Sequence, residues 1–173
     1  GLAHVHRAHG RLERIVLDGD VWLLDDTYNA NPDSMEAALQ SLAELARTRR
    51  KLIVLGEMRE LGSFAEAEHR HIGAGAAASG AHTIFACGAL GKLYGEGAAN
   101  ASRSLASTNV AAVATQLGAT WSSSHFVWAE TNAELAQLVV DAVQPGDVVL
   151  IKGSRGARME VVVDALVKAR RRR

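Results

Sequence analysis

Cysteine is almost missing from this sequence, since Cys87 is the only one in 173 residues. A single cysteine excludes an intramolecular disulfide framework and a zinc site built from cysteines. It fits a protein of a reducing compartment, and we expect a cytoplasmic location. Long apolar runs are missing as well: none approaches the roughly 20 residues that a membrane-spanning helix needs, so membrane insertion is not expected.

An excess of charge of one sign is also missing. Lys and Arg together number 19, as do Asp and Glu, so the formal net charge is zero. This balance does not favour binding to nucleic acid or to an anionic membrane surface. Apolar residues make up 48% of the chain and charged residues 22%, which is typical of a globular domain with a sizeable core. Because the sequence begins at Gly1 without a methionine, we expect it to be a piece of a longer reading frame.

Short apolar runs alternate with helical patterns along the chain. Residues 13–18 and 21–26 flank Gly19 and Asp20, which predicts a β-hairpin. We predict an α/β fold: a three-layer, Rossmann-like, mostly parallel sheet with helices on both faces and this N-terminal β-hairpin. The further predicted strands are residues 52–55, 83–87, 126–128 and 148–151. The predicted helices are 33–48, 64–79, 89–98, 107–117, 131–143 and 157–169, the first of them beginning with a capping box of Asp33 and Glu36.

Polar loops follow several of the predicted strands, at the sheet edge where such folds bind ligands. In the loop Asp25–Pro32 two carboxylates precede a helix N-terminus, a pattern that suits a ribose and an anion. The loop Lys152–Gly156 places two cations and a hydroxyl before a helix, which suits a carboxylate or a phosphate. The loop Gly56–Gly62 carries Arg59 between two acids. Ordinary turn chemistry and solvated ion pairs explain the same spacings, so both interpretations stay open on the residues alone.

Three tempting motifs fail. His69 and His71 are two residues apart on a predicted helix and point in different directions, so we expect no metal site there. The segment Gly88–Leu93 has too few residues between its glycines for a P-loop, and Leu93 stands where a magnesium-binding Ser or Thr is needed. The pair Gly73 and Gly75 lies inside a predicted helix and not at a strand-to-helix turn, which excludes a dinucleotide fingerprint.

Four segments of the chain together carry a family resemblance. They are GRL at Gly10–Leu12, DDTYNANPDSM at Asp25–Met35, LGEMRELG at Leu55–Gly62 with a following His69, and GDVVLIKGSRGARME at Gly146–Glu160. In order and content they resemble the C-terminal domain of the Mur ligase family, and within it the branch that adds D-alanyl-D-alanine to UDP-N-acetylmuramoyl-tripeptide. The resemblance implies an interdomain linker remnant at residues 1–12 and a single domain at 13–173, without the family's central ATPase domain and N-terminal UDP-binding domain.

The resemblance also implies substrates and residue roles. The family forms an acyl phosphate from ATP and the tripeptide carboxylate, which the amine of D-alanyl-D-alanine then attacks; Mg²⁺ is expected in the missing central domain, and we expect a monomer. No catalytic residue is assigned. The implied ATP-binding residues are Arg11 at the phosphates, Asp26 at the ribose with Asp25 as runner-up, and Asn29 and Asn31 beside the nucleotide. The implied dipeptide-binding residues are Lys152, Ser154, Arg155 and Asn31. Arg59 and His69 match the family pattern, but no role is implied for them.

Two alternatives to this function remain open at the level of the sequence. One is a related ligase that adds glutamate or another amino acid. The other is a stand-alone, non-catalytic module that binds a nucleotide or a protein partner.

Overall fold

The protein is described here from a computed structural model, which covers residues 10–107 and 124–171. The described strands are β1 (Glu13–Leu17), β2 (Val21–Asp26), β3 (Lys51–Leu55), β4 (Thr83–Cys87), β5 (His125–Ala129) and β6 (Val148–Lys152). The described helices are α1 (Pro32–Leu45), α2 (Ala65–Ala78), α3 (Gly91–Ser107), α4 (Asn132–Ala142) and α5 (Glu160–Ala169), with short 3₁₀ turns at Gly62–Phe64 and Arg155–Ala157. Within these ranges, no helix combines the length and the apolar character that crossing a membrane requires.

The six strands form one sheet in the order β1-β2-β6-β3-β4-β5. Only β1 and β2 pair antiparallel, as the hairpin predicts, and every other neighbouring pair is parallel. The mostly parallel α/β sheet with an N-terminal hairpin is therefore confirmed. Its central strand β6 sets Lys152 opposite Asp26 of β2 on one side and opposite Leu55 of β3 on the other.

The core has two layers, one on each face of the sheet. Because successive strand residues point to opposite faces, Leu150 packs with α1–α3 whereas the next residue, Ile151, packs with α4 and α5. Both side chains are fully buried. Strands that are covered on both faces explain the uninterrupted apolar runs in the sequence.

Two glycines allow α2 and α3 to pack at very short distance. A Cβ atom on Gly73 of α2 would lie 2.0 Å from the Tyr94 carbonyl oxygen, and one on Gly97 of α3 would lie 1.8 Å from the Arg70 carbonyl oxygen. No other residue type fits at these two points without moving a backbone. Gly73 thus serves helix packing, in agreement with its exclusion from a nucleotide fingerprint.

The N-cap of helix α1 lies two residues before the predicted one. Asn31 is the N-cap: its Oδ1 accepts a hydrogen bond from the Ser34 amide at 2.8 Å, and the Ser34 hydroxyl accepts one from the Asn31 amide at 3.0 Å. The prediction of Asp33 as the cap was wrong, because Pro32 is already preset for the first helical position. Asp33 lies in the first turn, where its charge complements the helix dipole.

Three other helix boundaries differ from the prediction by three residues or more. Helix α1 ends at Leu45 and not at residue 48. Helix α3 continues to Ser107 instead of ending near residue 98, since Ala and Ser in this stretch do not stop a helix. The helix predicted over 107–117 lies beyond Ser107 outside the described residues. Helix α5 begins at Glu160 and not at Ala157, because the preceding residues form a 3₁₀ turn and Arg158 adopts a left-handed conformation with φ 54°.

Candidate functional site

The loops that follow β2, β3 and β6 meet at one edge of the sheet. The Gly56 amide donates to the Lys152 carbonyl at 2.8 Å, and the Ser154 amide donates to the Glu57 carbonyl at 3.1 Å. The Lys152 ammonium donates to the Asn29 carbonyl at 2.9 Å. The prediction that the polar loops gather at the carboxyl ends of the strands is therefore confirmed for these three.

The two adjacent aspartates at the end of β2 face opposite sides of the sheet. Asp25 is only 1% exposed, and its Oδ1 accepts hydrogen bonds from the amide and the hydroxyl of Thr27 at 3.2 and 2.7 Å. Asp26 lies on the side of α1 and lines an open cavity. Of the two carboxylates, only Asp26 is placed to meet a ligand there.

Asp26 is held from two directions. Its Oδ2 accepts a hydrogen bond from the Lys152 ammonium at 2.6 Å, and its Oδ1 accepts one from the Leu12 amide at 3.0 Å. The Lys152 side chain is 3% exposed and that of Asp26 is 16% exposed, so this ion pair is shielded from water. Each carboxylate oxygen keeps a second lone pair for a ligand hydroxyl.

The turn at Gly10–Leu12 is part of this domain and presents Arg11. Gly10 and Leu12 both have positive φ angles, 77° and 50°, and the Gly10 carbonyl accepts a hydrogen bond from the Tyr28 amide at 2.9 Å. A Cβ atom on Gly10 would lie 3.2 Å from both Thr27 Oγ1 and the Tyr28 amide nitrogen, which explains the glycine. The tied turn fixes where the Arg11 side chain leaves the backbone.

Tyr28 brings two guanidinium groups together. The Arg11 Cζ lies 4.5 Å from the centre of the Tyr28 ring, and the Arg155 Cζ lies 5.9 Å from it. Both distances are within cation–π range, and the ring is 44% exposed. No ion pair with an acidic side chain links Arg11 or Arg155 to the described residues. Two cations without a protein counter-charge form an attractive site for anions.

A cavity of about 410 Å³ lies between the Gly10–Leu12 turn, the loop after β2 and helix α1. Its size falls within the roughly 300–1,000 Å³ of small-molecule sites. Alanines of α1 give it an apolar wall, while hydroxyl, amide and charged groups line the rest. The lining residues are Arg11, Leu12, Asp26, Tyr28, Asn29, Ser34, Ala37, Ala38, Ser41 and Lys152.

Two ties fix the loop that carries Arg155. The buried Ser154 hydroxyl donates to the Glu57 carbonyl at 2.7 Å. The Asn132 amide group donates to the carbonyls of Ala157 and Arg158 at 2.6 and 3.1 Å. Arg155 itself stays exposed at the apex. Glu160 lies nearest to Arg158, at 3.6 Å, and forms no ion pair with Arg155.

Arg59, in the loop after β3, contacts the loop that carries Arg155. Its guanidinium lies against Gly156, where an added Cβ atom would be 2.6 Å from Cζ and Nη1. Because Gly156 directly follows Arg155 in the chain, Arg59 contacts the residue next to Arg155. Ion pairs with acidic side chains are absent for Arg59 within residues 10–107 and 124–171. No sequence pattern relates these two arginines, because the loops that carry them are almost 100 residues apart.

His69 is a buried support under the loop after β3. It is fully buried; its Nε2 accepts a hydrogen bond from the Met58 amide at 3.1 Å, and its Nδ1 lies 2.6 Å from the Ala65 carbonyl, which it meets as the donor. Burial lowers the pKa of His69 below its ordinary value, against the opposing effects of the Ala65 carbonyl and Glu57. A neutral imidazole satisfies both contacts.

Sequence reasoning did not find two side chains that organise the site. Asn132 accepts a hydrogen bond from the Cys87 thiol at 2.9 Å, which orients its amide toward the Arg155 loop; burial raises the pKa of that thiol to about 11. The Tyr94 hydroxyl donates to the Gly56 carbonyl at 2.9 Å. These partners are distant in sequence and leave no local motif.

The remaining predicted site residues have defined surroundings but untested roles. The Asn31 side chain caps α1. The Asn29 Oδ1 accepts a hydrogen bond from the Ala30 amide at 2.9 Å. Lys152, predicted at a substrate carboxylate, lies buried against Asp26. Within the described residues, no three His, Cys, Asp or Glu side chains are grouped to hold a metal ion.

The fold and this strand-end cleft define an α/β domain whose edge loops present arginines beside a small cavity, and comparison with known proteins gives its family. Residues 10–155 match the family described as "Mur ligase, glutamate ligase domain". The chain therefore belongs to the Mur ligase C-terminal domain family, as its four motifs indicated.

Curated relatives specify a branch of the family. The chain is 31% identical over 169 residues to UDP-N-acetylmuramoyl-tripeptide–D-alanyl-D-alanine ligase of Bacillus subtilis, covering 98% of this chain and 33% of that protein. It is 38% identical over 170 residues to the ligase of the same name in Mycobacterium tuberculosis H37Rv, covering 89% of this chain and 30% of that protein. The chain thus spans about one third of the length of these relatives.

Solved structures agree on the fold. A MurF crystal structure from Acinetobacter baumannii superposes with a TM-score of 0.74 and 30% identity, over 95% of this chain and 32% of that one. MurF ligase from Thermotoga maritima, crystallised in complex with ADP, gives a TM-score of 0.71 at 23% identity, over 97% of this chain and 33% of that one.

Proposed function

We propose that this chain is the C-terminal domain of an ATP-dependent ligase that joins D-alanyl-D-alanine to UDP-N-acetylmuramoyl-tripeptide in peptidoglycan precursor synthesis. ATP phosphorylates the tripeptide carboxylate, and the dipeptide amine displaces phosphate to form the amide. We infer that the P-loop, the Mg²⁺ ligands and the UDP site lie in further domains of that ligase. The names of the relatives and the shared motifs support this proposal.

The observation that carries the proposal is the meeting of two different anion sites at Tyr28. Arg11 lies 4.5 Å from this ring and also lines the cavity beside Asp26, whereas Arg155 lies 5.9 Å from the ring on a separate loop. A ligase of this kind must bring a nucleotide phosphate and an incoming carboxylate-bearing amine close together. The two arginines supply one cation for each.

The cavity suits the nucleoside part of ATP. The Asp26 carboxylate can accept hydrogen bonds from ribose hydroxyls, and the alanines of α1 offer an apolar wall to a flat base. Arg11 lines the same cavity, and we infer that it contacts the phosphates. No residue of this cluster replaces the P-loop. We infer that the domain completes the ATP site only when it closes over the central domain, which also excludes water from the acyl phosphate.

The Arg155 loop suits the dipeptide carboxylate. A guanidinium grips a carboxylate through two parallel hydrogen bonds, and Arg155 is exposed, held on a tied loop and accompanied by Arg59. Ser154 contributes by fixing the loop through Glu57.

Glutamate is the second candidate amine, because the matched family is described as a glutamate ligase domain and two arginines also fit an acidic amino acid. We favour the dipeptide because the curated relatives that cover almost the whole chain carry that activity in their names.

We further infer a cytoplasmic, monomeric enzyme. A lone, buried and free Cys87 is compatible with a reducing compartment.

Substitution of Arg155 by Lys tests the proposal in the ligase that carries this domain. Losing one charge-assisted contact of about 1.5–3 kcal/mol predicts a rise in the KM for D-alanyl-D-alanine of roughly ten- to hundredfold. The KM for ATP and the melting temperature stay unchanged. A lowered melting temperature with an unchanged ratio of the two KM values would assign Arg155 a structural role and overturn the proposed dipeptide site.

A further inference from the structure

We propose that Lys152 is a positioning residue for the nucleotide side of the site and not a ligand of the dipeptide carboxylate. This inference rests on the proposed function, because it divides the site into a nucleotide side and a dipeptide side. Lys152 is the last residue of β6, and the parallel register sets it opposite Asp26. Its side chain thus faces the cavity side of the sheet, where Lys152 and Asp26 both line the cavity.

The Lys152 ammonium is already engaged by the protein. It lies 2.6 Å from Asp26 Oδ2 and 2.9 Å from the Asn29 carbonyl oxygen, and the residue is 2% exposed. A substrate carboxylate that bound this buried ammonium would have to compete with the Asp26 carboxylate, which already lies 2.6 Å away. Arg155, by contrast, is exposed and has no such partner among the described acids.

The two acceptors of Lys152 belong to two residues that line the cavity, Asp26 and Asn29. Asp26 accepts a hydrogen bond from the Leu12 amide. By fixing Asp26, Lys152 therefore also restrains the Gly10–Leu12 turn, which presents Arg11. The Asn29 carbonyl belongs to the loop that carries Tyr28, on whose ring Arg11 is stacked. One ammonium therefore sets the relative position of the predicted ribose acceptor and the predicted phosphate-binding arginine.

The charge of Lys152 matters for the same ligand. Asp26 alone would repel the phosphates of a nucleotide bound beside it. With Lys152 in contact, the pair is neutral overall, and Asp26 still offers lone pairs to neutral hydroxyl groups. A neutral pair with an acceptor surface is well matched to a ribose that is attached to a phosphate chain.

The test compares Lys152→Met with Arg155→Lys in the ligase that carries this domain. We expect Lys152→Met to weaken binding of a non-hydrolysable ATP analogue by about tenfold or more, measured by calorimetry. It should raise the KM for ATP similarly and change the KM for D-alanyl-D-alanine less than twofold. Lys168→Met, which removes an exposed lysine of α5, should alter neither. Lys152→Gln, which keeps one donor, serves if the Met variant does not fold and should show the same selectivity with a smaller loss.

Two results would overturn the proposal. One is a selective rise in the dipeptide KM with unchanged ATP affinity, which would make Lys152 a dipeptide ligand. The other is an equal change in both KM values, which would indicate general loosening. Calorimetry with the ATP analogue needs no dipeptide, so the role of Lys152 can be decided even if Arg155→Lys shows that the proposed dipeptide site is wrong.

Discussion

The guanidinium of Arg59 rests on Gly156, so closely that an added Cβ atom would lie 2.6 Å from Cζ and 2.7 Å from Nε. The contact joins the loop after β3 to the loop after β6 and leaves Arg59 beside Arg155. A glycine at this point is what lets the two arginines share one surface.

Gly156→Ala should therefore displace Arg59 with little effect on stability, since the atoms in the way are the end of a flexible exposed side chain. In the full ligase, we expect a severalfold higher KM for D-alanyl-D-alanine at an unchanged melting temperature. Gly153→Ala is the contrasting variant: its Cβ atom would meet Met159 at 2.6 Å and the Gly56 Cα at 3.1 Å, so it should lower the melting temperature. An unaltered dipeptide KM in Gly156→Ala would show that Arg59 does not contribute to the proposed dipeptide site.

Packing between α2 and α3 gives a prediction about stability. Gly73→Ala should cost about 1–3 kcal/mol, because a methyl group cannot fit against a backbone carbonyl, and should lower the melting temperature by several degrees. Gly75→Ala on the same helix is the control. Its Cβ atom would only touch Leu39 at 3.4 Å, and alanine is the better helix former by about 0.5–1 kcal/mol. Thermal unfolding that ranks the two variants alike would contradict the close helix contact.

His69 predicts a pH dependence of stability. Burial lowers its pKa in the folded state, whereas an unfolded histidine titrates near about 6.5. Below that pH the unfolded chain binds a proton that the folded chain resists, so the free energy of unfolding falls as the pH drops from 7 to 5. His69→Gln should lower the melting temperature at pH 7 but reduce its fall between pH 7 and 5. A fall of the same size in the variant would show that other groups cause it.

Asn132 should act on dipeptide binding through the Arg155 loop. Asn132→Asp keeps the shape but replaces the amide donor by an acceptor that faces the carbonyls of Ala157 and Arg158. We expect a raised dipeptide KM and an unchanged ATP KM. Thr131→Ala removes the neighbouring N-cap of α4, which costs about 1 kcal/mol of stability without touching the loop. Equal dipeptide KM values in the two variants would show that the hydrogen bonds from Asn132 to the Arg155 loop do not affect dipeptide binding.

The order of strands and helices could be predicted from the sequence because each element has its own periodicity and its own end signals. The meeting of the polar loops was also predictable, since parallel strands end at one edge. Asp26 was preferred over Asp25 by resemblance, and the structure adds the physical ground: neighbouring strand residues face opposite sides of the sheet.

What the sequence could not show depends on contacts between distant segments. The pairing of Lys152 with Asp26 joins positions 126 residues apart and follows only from the register of β2 and β6. The position of Arg59 against Gly156, and that of Asn132 beneath the Arg155 loop, likewise arise from tertiary packing. The start of α1 was misplaced for a local reason, because Asn31 with Ser34 and Asp33 with Glu36 offer the helix two competing caps.

The most direct test of the central claim is an amine-acceptor panel with the ligase that carries this domain. Phosphate release is measured with ATP, Mg²⁺ and UDP-N-acetylmuramoyl-tripeptide, adding D-alanyl-D-alanine, D-glutamate, D-alanine or no amine in turn. The proposed function predicts release that depends on D-alanyl-D-alanine and is absent, or far slower, with every other addition. Release that D-glutamate supports as well as or better than the dipeptide would contradict it and assign the domain to a different branch of the family.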